Sequence, residues 1–477
     1  MKPEEDGGSE ARFLAYVERL SAALGHRDRE GPFRAYCAGL LGTEGRKSVE
    51  PLAAATAPSR VSGQHQSLLH FVGQSEWSDA AVLAAVRAYV LPAMERRGPI
   101  EAWILDDTSF PKKGRHSVGV TRQYCGQLGK RANCQAAVTL SLANHQASLP
   151  IGYRLYLPQE WAEDAPRRKQ AGVPDAIAFE TKPAIALGLI DEALSQGVPR
   201  GFVLADAGYG SDTAFRQAVT ALGLPYAMGV GPATSVWPPG VRPLAQVKPW
   251  SGKGPRPLLR LRRDEDRKPV SVKELALSLP DEAFEVIAWR EGSNDGLKGR
   301  FARVRVHAAH RDNLRSELRP EEWLVIAWPE TEAEPTKYWL STLPPDIAFG
   351  ALVDAIKLRW RIERDYLELK QEVGLGHYEG RGWRGFHHHA TLCIAAYGFL
   401  IAERETIPPS GHPGPRQFQP SPVSPRPRPR RSAPQTRAPR PKLNRNPATT
   451  IGRRLRTHPP QMSLLPQIPT QRILMTQ

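Results

Sequence analysis

The chain has 477 residues, of which 40% are hydrophobic and 24% charged, with a formal charge of +16. That length supports a large core and two or three domains, and the charge favours a polyanionic partner such as nucleic acid. Thirteen Lys or Arg and no Asp or Glu lie from position 406 onward, so the first 405 residues carry only about +3. The four cysteines, Cys37, Cys125, Cys134 and Cys393, form no CxxC pair. This argues against a zinc module or a disulfide scaffold and fits reduced thiols in a cytosolic compartment. The opening MKPEEDGGSE contains no apolar segment of signal-peptide type. The apolar run from Ala390 to Ala402 is too short to span a bilayer and reads as a buried helix.

Residues 1 to about 95 read as a small helical bundle. ARFLAYVERLSAALG and DAAVLAAVRAYVLPAMER repeat apolar residues at helical spacing, and LLHFVGQSEWS supplies a shorter element. EAWILDD then predicts a short strand ending in two acids. CQAAVTLSLAN and LPIGYRLYLP predict two further strands joined by a turn at Asn144 to Ala147. KPAIALGLIDEALSQ predicts a helix ending before Gly197. GFVLADAGYG reads as a strand that ends in an acid and a Gly-rich turn. SDTAFRQAVTALG is a helix capped by Ser211 or Asp212, and LPYAMGV a fifth strand. Three strands, helix, strand, helix, strand suits an α/β fold with a mixed sheet covered by helices. From about 225 to 345, FEVIAWR, FARVRVHAA, EWLVIAWP and KYWLSTLP read as a β-rich insertion of roughly 120 residues. A helical stretch returns at IAFGALVDAIKLRWRIERDYLELKQEVGL. Beyond position 406 the Pro- and Arg-rich chain has too little apolar content to order itself.

An acid at the C-terminal end of a strand is held by rigid backbone yet exposed at the sheet edge, and Asp106 and Asp206 are read in that position. If their strands are neighbours, the carboxylates converge and repel, which favours a shared divalent cation. Magnesium suits such hard oxygen ligands, and two ions about 3.5–4 Å apart assist both the attacking and the leaving oxygen of a phosphodiester. Alternation in EAWILDD does not decide between Asp106 and Asp107, because Trp103, Ile104 and Leu105 are all apolar. On the late helix, Arg359, Glu363 and Lys370 sit at offsets that place them within about 40° of one another. A Glu between two cations on one face can ligate metal while its neighbours hold phosphate. Asp365, Glu368 and Glu372 are alternatives on the same helix.

The stretches LDDTSFPKKGRHSVGVTRQYCGQLGKRANCQAAVTL, LPQEWAED, TKPAIAL, LADAGYGSD and RWRIERDYLELKQEVGLGHYEGRGWRGFHHHATLCIAAYGFL resemble those of bacterial insertion-sequence transposases of the DDE class. The resemblance is to the branch of the IS4-like superfamily with a DDT…PKKG motif. It implies a ribonuclease-H-like core with a β-rich insertion between the second aspartate and the catalytic glutamate. The implied divisions are a helical N-terminal domain over 1–95, the first part of the core over 96–225 and the insertion over 226–345. The second part of the core, over 346–405, carries the catalytic helix; the resemblance hardly reaches 406–477, which composition alone reads as a basic disordered tail. The family's acids fall on Asp106, Asp206 and Glu363, implying two Mg²⁺ ions with Mn²⁺ as a substitute. Its Arg and Lys fall on Arg359 and Lys370, which would contact the DNA backbone, while its Tyr position is occupied by Ile356. The expected activity is cleavage at the element's ends and strand transfer into target DNA. Double-stranded DNA is the expected partner, bound by paired protomers in the cytoplasm.

PKKGRHS follows the first aspartate and reads either as a solvated turn or as a contact with terminal DNA phosphates; the motif match favours the latter, placing Lys112, Lys113 and Arg115 on DNA. Trp289, Trp323, Trp328 and Trp339 are read mainly as sheet packing, with stacking on an extruded base as the alternative. His387, His388 and His389 are expected to face DNA or solvent. A stand-alone nuclease on the same fold, or a DNA-binding protein that has lost catalysis, are the alternatives in function.

Overall fold

A computed structural model describes residues 8–244, 252–254, 261, 264–289, 297–312, 315 and 317–406. The basic tail beyond Thr406 lies outside the described residues. Helical periodicity in the first hundred residues produces α1 Ser9–Ser21, α2 Glu30–Gly42, α3 Val49–Thr56, α4 Val61–Gly73 and α5 Asp79–Glu95. The last begins where the Ser78 hydroxyl accepts from the Ala81 amide at 3.2 Å, satisfying a donor left open by the helix start.

The sheet follows. β1 Ala102–Pro111, β2 Thr121–Cys125, β3 Lys130–Ala143 and β4 Ser148–Leu155 lead to helices α6 Gln159–Ala162, α7 Ala165–Ala171 and α8 Lys182–Ser195. Then come β5 Phe202–Ala205, α9 Ala207–Gly210, α10 Thr213–Ala221, β6 Tyr226–Val230, β7 Ser235–Trp237, β8 Val270–Ser271 and α11 Val272–Ser278. β9 Glu285–Trp289, β10 Leu297–Ala308, β11 Glu321–Trp328 and β12 Lys337–Ser341 precede α12 Phe349–Lys357, α13 Trp360–Gln371 and α14 Trp383–Thr406.

All of these strands join one mixed sheet in the order β2-β3-β1-β5-β6-β12-β11-β10-β7-β8, with β4 on β3 and β9 on β10. β1, β5 and β6 run parallel at its centre. β6, at the start of the 226–345 segment, belongs to this parallel centre, and the later strands of the segment extend the same sheet because β12 pairs antiparallel with β6.

Alternation along β1 sorts the two faces. Trp103 and Leu105 pack with Ile185, Ile190 and Val219 of α8 and α10. Ala102 and Ile104 pack with Leu352, Val353, Ile356 and Ile362 of α12 and α13. A fully buried aliphatic side chain contributes about 1.5–3 kcal/mol, so the phase of β1 is strongly fixed.

α14 is apolar nearly all round and buried along most of its length, as a central helix must be. The N-terminal helices enclose it: Tyr16 donates to the Ala395 carbonyl at 2.7 Å. A β-carbon at Gly398 would lie 2.8 Å from Val86 Cγ1, so the glycine lets α5 and α14 approach closely.

The histidine cluster departs from expectation. His388 and His389 are buried, His388 against Asp79 at 3.0 Å and His389 against the Tyr36 hydroxyl at 2.9 Å. The Leu155 amide donates to His387 at 3.2 Å. His388 and His389 tie α14 to the bundle and do not form a solvent face, while the half-buried His387 ties it to β4. Among the described residues no helix is long and apolar enough to cross a membrane.

Candidate active site

The parallel register of β1 and β5 pairs Ala102 with Phe202, Trp103 with Val203 and Ile104 with Leu204. Continued two residues further, the register sets Asp106 level with Asp206. β5 stops at Ala205, and Asp206 caps α9, its Oδ1 accepting from the Gly208 amide at 2.9 Å. A Gly-rich turn is expected at this point, but the chain folds into that short helix. A β-carbon at Gly210 would run into the Gly229 carbonyl and reach Met228 Cβ at 2.7 Å. Only glycine therefore lets α9 sit this closely on β6.

Asp106 is not at the end of its strand. β1 continues to Pro111, because its other edge stays paired with β3 as far as Cys134. What ends beside Asp106 is the neighbour, β5, so the sheet opens on one side only. The faces separate the two adjacent acids. Asp107 lies with α8 and α9, paired with Lys182 and accepting from the Tyr209 hydroxyl at 2.7 Å. Asp106 points toward α13.

α12 and α13 are separated by Leu358 and Arg359, both still right-handed helical, where i→i−3 hydrogen bonds tighten the backbone. The Arg359 fork donates to Asp106 Oδ2 at 3.0 Å and to Glu363 Oε1 at 2.9 Å. One helical stripe holds Arg359, Glu363, Tyr366 and Lys370, at offsets of 0, 4, 7 and 11. Thr139, opposite Asp106 on β3, donates to the Asp106 carbonyl at 3.3 Å, which leaves the Tyr366 hydroxyl to donate to Thr139 Oγ1 at 2.5 Å. The Lys370 ammonium donates to the Ser109 carbonyl at 3.1 Å.

Asp365 and Glu368 point elsewhere. Asp365 accepts from Ser148 at 2.7 Å and Tyr397 at 2.9 Å, and Glu368 pairs with Arg364 and Arg404. Glu363 is the acid of α13 that meets Asp106 through Arg359.

Burial pushes the Asp106 carboxyl up to about 7, with Asp206 and Asp107 adding to the rise and Arg359 opposing it. Burial works against the Arg359 charge, yet Asp106, Glu363 and Asp206 together raise its pKa. Burial lowers Lys370 to about 8. Arg359 thus bonds two carboxylates, Asp106 and Glu363, and is favoured by the charge of a third, Asp206.

That donor set fits, in kind, the divalent cation implied by the sequence resemblance: hard oxygens around a point where positive charge is strongly favoured. Here the Arg359 guanidinium fills the gap between Asp106 and Glu363. Among the described residues no three acidic, His or Cys groups stand together as ligands. Binding an ion between these carboxylates therefore requires Arg359 to turn away from Asp106.

The other sequence candidates divide. Lys112 turns inward and donates to the Tyr378 carbonyl at 2.9 Å, and burial lowers its pKa. Lys113 and Arg115 are exposed beside it. Trp323 and Trp328 donate to backbone carbonyls, of Pro344 and Glu332. Trp289 packs edge-on against Phe301, and Lys357 lies over the rings of Trp289 and Trp339. Thr139, Lys182, Tyr209 and Tyr366 are parts of the site that sequence reasoning missed. For Tyr366 a signal existed, since it falls on the Arg359–Lys370 stripe.

A family model described as DDE superfamily endonuclease matches residues 19–296, a span holding Asp106 and Asp206 but not Glu363. A probable transposase for insertion sequence element IS701, from Microchaete diplosiphon, is 34% identical over 166 residues. That alignment covers 35% of this chain and 40% of the relative. With more than half of its length inside the family model, the chain belongs to the DDE superfamily endonucleases.

Proposed function

We propose that this chain is an insertion-sequence transposase of the IS4-like superfamily, cutting DNA at the element's ends and joining the freed 3′ ends to target DNA. The observation that carries the reading is the meeting of Asp106, level with Asp206 across the β1–β5 register, with Glu363 through the shared Arg359 fork. The order β4-β3-β1-β5-β6, antiparallel then parallel, supports a ribonuclease-H-like core within 96–230 and 346–405, β6 moving its edge five residues beyond 225, with the chain from there to 345 as its insertion.

Asp106, Asp206 and Glu363 would hold two Mg²⁺ ions, for which Mn²⁺ would substitute. When bound there, the ions supply Lewis acidity and offset the charge building on the phosphate. Lys182 and Tyr209 fix Asp107, and through it the section of β1 that presents Asp106. Arg359, turned from Asp106, offers its two N–H groups to phosphate oxygens, the bidentate geometry that suits guanidinium. Lys370, close to the same site and still largely protonated at neutral pH, adds positive charge for the DNA backbone, as do the exposed Lys113 and Arg115. Water first attacks the phosphodiester at the element's end, breaking the bond to the 3′ oxygen. The freed 3′ hydroxyl then attacks a target phosphodiester, whose own 3′ oxygen leaves. One phosphodiester replaces another, so no external energy source enters. The protomers act in pairs on two DNA ends.

Labelled DNA carrying the ends that flank the encoding gene, incubated with Mg²⁺, tests this reading. Cleavage at the ends plus joined products, both lost in Asp206→Asn, is the expected result. Cleavage without joining supports a stand-alone nuclease, and specific binding without chemistry a DNA-binding role.

A further inference from the structure

The stretch from Thr108 to Gln159 contains seven Lys or Arg and no Asp or Glu, although it begins two residues after Asp106. Its most prominent feature is the hairpin of β2 and β3. The two strands pair from Thr121–Cys134 to Cys125–Lys130, and the turn Gly126–Gly129 closes with Gly129 in the left-handed region. Alternation divides the hairpin: Cys125 is buried, while Arg122, Tyr124 and Arg131 are exposed. Arg131 lies directly opposite Tyr124 and donates to the Arg122 carbonyl at 3.4 Å. Tyr124 is 65% exposed and Leu128, in the turn, 45% exposed.

The turn end of this hairpin folds back onto β1. Ser109 Oγ accepts from the Gln127 amide at 3.3 Å and lies 3.4 Å from Cys125 Sγ. The Ser109 carbonyl accepts from Lys370. Ser109 is the third residue after Asp106. An exposed aromatic ring framed by two guanidiniums, with an exposed leucine in the turn, is thus carried on a hairpin whose turn end is pinned to Ser109 of β1.

That combination has a physical reading once DNA occupies the site. Guanidiniums bind the backbone on either side, and an apolar or aromatic side chain standing above the surface enters the base stack. We propose that the β2–β3 hairpin is a wedge: Tyr124, with Leu128, inserts between bases next to the scissile phosphate and unstacks that step. The inference rests on DNA being the substrate, and adds a distortion of the duplex that the three carboxylates do not require.

The test uses the full chain and a duplex carrying the terminal sequence beside the gene, with 2-aminopurine placed in turn at each position around the element's end. Divalent metal is left out so that no strand is cut, and fluorescence is read at saturating protein for every variant. The wild type is expected to raise fluorescence several-fold at one or two adjacent steps. Tyr124→Phe should retain that rise, and Tyr124→Ala should abolish it while weakening binding by no more than about tenfold. Arg122→Ala should lower affinity and its salt dependence but leave the rise at saturation. Binding without any rise in the wild type, or an unchanged rise in Tyr124→Ala, overturns the wedge and leaves the transposase reading intact. Absence of end binding by the wild type overturns the DNA reading and the wedge with it. Tyr124 packs on no core, so a melting curve for Tyr124→Ala matching the wild type is expected to exclude misfolding.

Discussion

Replacing Asp106 by Asn separates the charge of the site from its shape. In the folded chain burial lifts this carboxyl to about 7, against an ordinary value of about 3.9. The folded state therefore binds the proton more tightly than the unfolded chain. Stability is lost as pH rises from about 4 to about 7 and is level above that. Each pH unit in that window corresponds to about 1.4 kcal/mol, so the part between pH 5 and pH 8 amounts to about 2.7 kcal/mol. The Asp106 side chain keeps 17% of its surface exposed, which trims the figure to about 2 kcal/mol. Asparagine does not titrate. Other buried groups, such as Asp365 at about 6 and His389 at about 4, are present in both proteins and cancel in the difference. Urea unfolding of both proteins at pH 5 and pH 8, with divalent metal chelated, gives the comparison. Relative to wild type, Asp106→Asn is expected to gain about 2 kcal/mol on going to pH 8. Added Mg²⁺ at pH 8 should then stabilise the wild type and leave the variant unchanged. A gap that stays constant between the two pH values, within about 0.5 kcal/mol, would refute the buried, proton-holding carboxylate.

Three further outcomes follow from the geometry. Gly210→Ala forces a β-carbon against Met228 and the Gly229 carbonyl, so a loss of about 3 kcal/mol or more is expected in urea unfolding. Asp79→Ala strands His388 and Thr391, which both hydrogen-bond to it; a loss of about 2 kcal/mol is expected, with cleavage at 25 °C unaffected. Arg359→Ala removes the fork that joins Asp106 and Glu363, and single-turnover cleavage at saturating DNA should slow by about 10²–10³-fold while the DNA dissociation constant changes little.

The local pattern in the sequence made much of this visible. α8 matches its predicted extent within a residue, and the strand of LPYAMGV forms as read, because apolar period and capping residues agree there. Asp206 at a strand end and the Arg359–Glu363–Lys370 stripe were likewise legible, since each depends on short-range spacing. What could not be read depends on partners distant in the chain. β2 was missed because TRQYC is polar and lies at the edge of the sheet, where one exposed face erases any apolar pattern. The choice between Asp106 and Asp107 needed the α8 and α12 faces of the sheet, which three consecutive apolar residues conceal. The three histidines look like a surface cluster until Asp79, Tyr36 and Leu155 arrive from elsewhere to satisfy them. Two helices stand where one was expected, because the interruption at Leu358 and Arg359 involves neither Gly nor Pro.

The most direct test of the central claim, that Asp106, Asp206 and Glu363 form one metal site for DNA cleavage, is a change of ligand softness. Asp206→Cys replaces a hard oxygen with a thiolate, which Mg²⁺ binds poorly and Mn²⁺ accepts. With DNA carrying the element's ends, this variant is expected to be silent in Mg²⁺ and to recover cleavage in Mn²⁺. Full cleavage by Asp206→Cys in Mg²⁺ would contradict it, because Asp206 would then hold no metal in the reaction.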